Sequence, residues 1–176
     1  MKFIFTIIFL FINTYFCIAG EVDLNTRVDC AAKAALNYGI PVDILLAISS
    51  IENGEIGKAY KNPDGSYDYG VMQINTIYIK DLKNNYNIEI LSDKIMNDVC
   101  YAFNVAAFKI KEHLLQDNGE FLQKIANYHS KTLELNRNYQ TKIIEHSASW
   151  RKFLTKNKYE VYAWSYTDIK NIKEIK

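Results

Sequence analysis

Residues 47–75 read AISSIENGEIGKAYKNPDGSYDYGVMQIN, and the fold and chemistry of the whole chain turn on how this stretch is read. It opens as an amphipathic helix ending in a glutamate, crosses a turn-rich loop and closes on Gly-Val-Met-Gln-Ile-Asn. At about 100° per residue, Ile44, Leu45, Ile48, Ile51 and Glu52 fall within an arc of roughly 120°, so the glutamate shares the helix's apolar face. Asn53-Gly54 is a helix stop signal. It places Glu52 in the last turn, where unpaired carbonyl oxygens disfavour a second negative charge. Burial and the helix end both act to raise the carboxyl pKa. A carboxyl group still protonated near neutral pH can give a proton to a leaving oxygen, the step that glycosidic bond cleavage needs. An isolated glutamate at a helix end ordinarily turns to water, so the weight of this reading comes from its neighbours.

A helix ending Ala-Ile-Ser-Ser-Ile-Glu-Asn-Gly, an Asn-Pro-Asp-Gly turn and then Tyr69-Gly70-Val71-Met72-Gln73-Ile74-Asn75 together resemble the soluble lytic transglycosylase family, which is related to goose-type lysozyme. The Gly-x-Met-Gln-Ile-Asn element is the most specific part. Ala126-Asn127-Tyr128-His129-Ser130 is similar to the family's third motif, in the form seen in small transglycosylases that accompany secretion and conjugation systems. The resemblance runs from Asp29 to Phe153. It implies an all-α, mainly helical, lysozyme-like domain with a short loop or hairpin lining the cleft.

It also implies a reaction. In such enzymes one glutamate protonates the oxygen between N-acetylmuramic acid and N-acetylglucosamine, then acts as base on the muramoyl C6 hydroxyl, which closes onto C1 as a 1,6-anhydro product. The nucleophile is part of the substrate, so a second catalytic carboxylate is dispensable. Glu52 matches that acid and base. Asn53, Tyr69, Gly70, Met72, Gln73, Asn75, Tyr128 and His129 match positions that bind substrate, and the Tyr128 hydroxyl is expected to orient the Glu52 carboxyl. Gly70 would let sugar approach the backbone, although a plain turn glycine reads the same. Met72 would offer an adaptable apolar contact, with core filling as its ordinary use. Gln73 and Asn75 supply paired donors and acceptors, with helix capping a rival role for Asn75. Asp68 is read as a loop-ordering acceptor in preference to a second catalytic carboxylate. Two positions depart from the family pattern: Asn53 stands where serine is usual, and Tyr128-His129-Ser130-Lys131 stands for Tyr-Asn-Ala-Gly. The rival functions are a muramidase that uses water and a peptidoglycan-binding assembly factor with little activity.

The ends and the composition set the compartment. Met1-Lys2, the apolar run Phe3 to Ile12 and Cys17-Ile18-Ala19 form the three regions of a secretory signal, with cleavage expected after Ala19. The run is broken by Asn13-Thr14 and falls short of the ~20 apolar residues of a span, so no stable membrane anchor is expected after cleavage. Phe16 argues against lipid modification of Cys17. The three expected segments are a signal at 1–19, a transglycosylase domain at 20–156 and a lysine-rich tail at 157–176. With 21 basic and 20 acidic residues overall, the chain has no nucleic-acid footprint. No cofactor or metal is expected. The expected partners are periplasmic peptidoglycan strands and components of a secretion or conjugation apparatus.

Loss of Cys17 leaves Cys30 and Cys100, an even count in an exported chain. Leu24, Val28, Ala31, Ala32 and Ala35 make the apolar stripe of the first helix, and Cys30 points away from it. Cys100 lies on the apolar stripe of a later helix with Met96, Phe103, Ala107, Ile110 and Leu114. A bridge accounts for both cysteines, whereas zinc lacks sufficient ligands.

The remaining segments read as helices over 23–38, from Pro41 to Glu52, over 76–84, and over 92–116 with a break near Asp98. A short helix after Gly119 turns Tyr128 and His129 inward. A final packed helix from Leu135 carries Tyr139, Ile143, His146, Trp150, Phe153 and Leu154 at helical spacing.

Overall fold

The computed structural model describes residues 22–157 and Tyr159; the expected signal segment and the tail beyond Tyr159 lie outside them. Asp23 caps the first helix, α1 (Leu24–Tyr38), by accepting from the Asn25 and Thr26 N–H groups, and Gly39 closes it with φ 65°. Pro41 starts α2 (Val42–Glu52), which ends on Asn53 at φ 49°. Strands β1 (Ala59–Lys61), β2 (Tyr67–Tyr69) and β3 (Ile74–Asn75) form an antiparallel sheet in that order. A 3-10 turn at Gly70–Met72 joins the last two. The Asn75 side chain accepts from the Ile77 N–H at 2.7 Å and so caps α3 (Thr76–Tyr86). α4 (Ser92–Asn97) and α5 (Val99–Gln116) divide at Asp98, which caps α5 through the Tyr101 N–H. α6 (Phe121–Ala126) and α7 (Leu133–Lys156) complete the described chain. The expected mainly helical domain with a small hairpin is therefore present.

The central helix differs from its expected form. Every residue of α2 from Val42 to Ser49 is buried, so it is a core rod enclosed on all sides and not a helix with one apolar face. α7 packs along one flank and α1 along another. Its buried polar groups are satisfied: Arg151 bonds Asp43 at 2.6 Å, Arg27 donates to Ser49 Oγ at 2.8 Å, and Trp150 Nε1 donates to Ser50 Oγ at 2.9 Å. Only the last turn, Ser50 to Glu52, is half-buried. The sheath of helices thus leaves one end of the rod open, and the glutamate sits there.

Cys30 and Cys100 are joined, with Cα atoms 4.5 Å apart and a sequence separation of 70. Their surroundings are the reverse of those expected. Cys30 is 3% exposed within the core while Leu24 is 43% exposed, and Cys100 is only half-buried. The small side chains Ala31, Ala34 and Ala35, all buried, turn α1 toward α5 and let the two backbones approach closely enough for the bridge.

The hairpin follows its turn chemistry. Gly65 at φ 83° closes the Asn62-Pro63-Asp64-Gly65 turn, and Asp64 accepts from both the N–H and the hydroxyl of Ser66. Asn62 and Asn75 each donate to Asp68 at 2.8 Å. Asp68 thereby ties the turn to the third strand, the loop-ordering role expected for it.

Candidate active site

Two glycines fold the loop back onto the end of α2. A Cβ on Gly54 would meet the Gly70 carbonyl oxygen at 2.1 Å, and a Cβ on Gly70 would meet the Ile95 carbonyl oxygen at 2.3 Å. Gly70 also has φ 61°, a backbone conformation that side chains resist. Gln73 Nε2 donates to the Gly70 carbonyl at 2.8 Å, closing the stack. The stop signal after Glu52 and the Gly-Val-Met-Gln element are therefore two halves of one packed unit. Gly70 is required by the α4 backbone and is buried; it does not offer an opening for sugar. Met72 is 0% exposed, so its side chain is core and its contribution passes through its carbonyl.

Glu52 emerges beside this unit. Burial raises its carboxyl pKa, and Asp68 acts in the same direction. The Tyr139 hydroxyl and the charges of Lys109 and Lys142 oppose them without cancelling the effect. The expectation of a protonated acid at this position rests on that balance, and desolvation is its leading cause. Tyr139 is 3% exposed and donates to Glu52 Oε1 at 2.5 Å. Burial and the adjacent Glu52 push its own pKa far upward, which keeps it a donor.

The expected partner was a different tyrosine. Tyr128 is buried, but its hydroxyl donates to the Met72 carbonyl at 2.6 Å, so it locks the loop and does not orient the carboxyl. His129 is exposed, not inward-facing. The reason is that α6 ends at Ala126, and a turn carries Asn127 to His129 off the helical period. His129 instead stacks on Tyr139 with ring centres 4.8 Å apart and planes within 4°. One face of Tyr139 is thus covered while its hydroxyl holds Glu52. Tyr139 was legible in the sequence as a packed residue of the final helix, but its bond to residue 52 depends on where α7 crosses α2.

Of the remaining expected contacts, Asn53 is exposed. With Ser50, Arg27 and Trp150 it lines a cavity of about 590 Å³ beside the last turn of α2; Glu52 is not among the lining residues. Tyr69 is half-buried and stacks on Tyr67. Gln73 and Asn75 are half-buried, and Asn75 is held by Ile77, Ser66 and Asp68, so the capping role occupies it. Among the described residues, no group of three or more His, Cys, Asp or Glu residues is placed to hold a metal ion, and no helix is long and apolar enough to cross a membrane. The site therefore offers one half-buried carboxyl at a helix end, its pKa raised by burial, with a polar, aromatic rim.

Comparison with known proteins places this mainly helical chain, with its half-buried glutamate beside a small sheet, in a family. Residues 29–148 match the model of the transglycosylase SLT domain. Protein IpgF of Shigella flexneri is 33% identical over 108 residues, covering 60% of this chain and 68% of that protein. Invasion protein IagB of Salmonella typhimurium is 29% identical over 133 residues, covering 70% and 79%. The chain belongs to the transglycosylase SLT domain family.

Proposed function

We propose that the protein is a lytic transglycosylase that cuts the β-1,4 bond between N-acetylmuramic acid and N-acetylglucosamine in peptidoglycan. The single observation that carries this is the Glu52 carboxyl: half-buried, raised in pKa by that burial and held on one oxygen by Tyr139. Protonated Glu52 gives its proton to the glycosidic oxygen as the C1–O bond breaks, and the N-acetylglucosamine end leaves as an alcohol. The Glu52 carboxylate then takes the proton of the C6 hydroxyl as O6 bonds to C1. Both strands leave, the acid is restored, and no water is consumed. Asn53, Tyr69, Gln73 and His129 are the side chains proposed to meet the sugars.

The proposed setting is the periplasm, reached through the signal at 1–19, with peptidoglycan strands as substrate. Local opening of the wall during assembly of a secretion or conjugation apparatus is the proposed purpose; the word "invasion" in the name of the Salmonella relative supports it. The 20–156 segment is the proposed catalytic unit.

Mass analysis of products from purified peptidoglycan tests the reaction. Muramoyl ends lighter by one water than hydrolysis products are expected, and Glu52→Gln should abolish them while leaving glycan binding intact. Reducing ends without the anhydro form would assign a water-using muramidase. Binding without cleavage by the wild type would assign an assembly factor.

A further inference from the structure

Lys109, in the middle of α5, occupies an unusual position for an ammonium group. Its Nζ donates to the Tyr128 carbonyl at 2.8 Å and lies 4.3 Å from the centre of the Tyr128 ring and 5.2 Å from that of Tyr78. Among the described residues it forms no ion pair. A carbonyl and two ring faces compensate part of its desolvation, yet burial lowers its pKa to about 8, against the pull of Glu52, Asp68 and Glu112. A buried cation without a bonded carboxylate is expensive to keep.

All three of those carboxylates accept hydrogen bonds, Glu52 from the Tyr139 hydroxyl. Glu112 accepts from the Tyr78 hydroxyl, and Asp68 accepts from the Asn62 and Asn75 amides. Glu52 is the one whose charge changes during the reaction proposed above. The same helix position is tied to the acid through the fold: its ammonium secures the Tyr128 turn, and that turn carries His129, which stacks on the Tyr139 ring whose hydroxyl holds Glu52.

We propose that Lys109 is a positioning residue whose buried ammonium is the fixed counter-charge of the site, holding the Glu52 carboxylate between its two proton transfers. This rests on the reading of Glu52 as acid and base. Lys109 neither gives nor takes a proton in the cycle. Its charge, with the Tyr139 hydroxyl, stabilises the carboxylate that appears when the glycosidic oxygen is protonated, in a pocket whose polarity is fixed before the reaction begins. Without it the acid would bind its proton too tightly to release it at a useful rate.

The groups that bear on this balance come from every wall. Glu52 is bonded by Tyr139 on α7 and interacts electrostatically with Lys142 on α7, Asp68 on β2, Tyr128 in the turn after α6, and Lys109 on α5. Lys109 in turn interacts with Tyr78 on α3, Glu112 and His113 on α5, and Tyr128 and His129 in the turn.

The test uses the mature protein labelled with 13C at the glutamate carboxyls, with the Glu52 resonance assigned by its loss in Glu52→Gln. In Lys109→Met, which keeps the stem and removes the charge, Glu52 should titrate at higher pH. The alkaline limb of the cleavage profile should move the same way, and cleavage at neutral pH should fall roughly tenfold. Lys109→Arg should restore both. A folded Lys109→Met protein with an unmoved Glu52 titration overturns the proposal. Should the methionine variant not fold, the reciprocal measurement decides: in Glu52→Gln the Lys109 side chain should titrate at lower pH than in wild type, and an unchanged Lys109 titration overturns the proposal. Neither titration needs turnover, so a wild type that cleaves nothing but keeps the coupling defeats the proposed function alone.

Discussion

The Tyr139 hydroxyl donates a 2.5 Å hydrogen bond to Glu52 Oε1, joining the second turn of α7 to the last turn of α2 across a sequence separation of 87. The bond fixes one carboxyl oxygen and leaves the other to serve the substrate. Tyr128, which stands in the recognisable motif, is instead bonded to the backbone of Met72. Two buried tyrosines at one site therefore have different duties, and they can be separated experimentally.

Tyr139→Phe should fold with a modest loss of stability and lose cleavage by about ten- to a hundredfold, because the lost bond gains a charged acceptor only once Glu52 has given up its proton and is then worth roughly 1.5–3 kcal/mol. Tyr128→Phe should show the opposite balance. It strands the Met72 carbonyl, lowering stability by about 1–3 kcal/mol, with the smaller effect on cleavage at temperatures where it is folded. Denaturant titration and product release, measured on both variants, check the pair. Equal activity losses at equal stability would refute the division.

Glu52→Gln should be more stable than wild type at neutral pH, and the difference should close in acid. Burial holds the Glu52 carboxyl above the ordinary glutamate value, so the folded state binds more protons than the unfolded one as pH rises through the interval between the two values. Stability of the wild type then falls across that interval. Below about pH 4 both states are protonated and the penalty is absent. Thermal melts of both proteins at pH 4 and pH 7 measure it, and a gap that fails to widen toward pH 7 would contradict the assignment.

Gly70→Ala should lower stability by at least about 2 kcal/mol, since its methyl would meet the Ile95 carbonyl at 2.3 Å and the backbone there has φ 61°. Gly65→Ala is the control: its φ is 83° and nothing lies within 4 Å of its Cβ, so only the backbone cost of roughly 1–2 kcal/mol applies. Denaturation midpoints of the two variants should differ accordingly.

Replacing Cys30 and Cys100 together by alanine should cost about 4 kcal/mol by the chain-entropy model for a loop of 70 residues. The loss should be larger than that of Cys100→Ala compared with wild type under reducing conditions, because Cys30 is packed in the core and also leaves a gap. Unfolding in denaturant with and without reductant measures both.

Local chemistry was enough to read the elements. Asp23, Gly39, Pro41, Asn53 and Asn75 stand at helix ends, and Asn62-Pro63-Asp64-Gly65 turns the hairpin. Caps and turns act over a few residues, so the chain displays them directly. The candidate acid was legible for the same reason, since Glu52 lies on the apolar side of a helix beside its stop. The third strand was not, because two residues are too short to show an alternation.

What could not be read along the chain is set by how helices cross. Periodicity gives each helix a stripe but not the neighbour it meets, so α2 looked one-sided and is enclosed, and Cys30 looked outward and is 3% exposed. The same limit moved the partner of Glu52 from Tyr128 to Tyr139 and left Lys109 unnoticed as an ordinary helical lysine. These contacts join residues tens of positions apart, and their energies depend on burial and distance. Both quantities come into being only when α7 and α1 close around α2 and α5 packs onto α1.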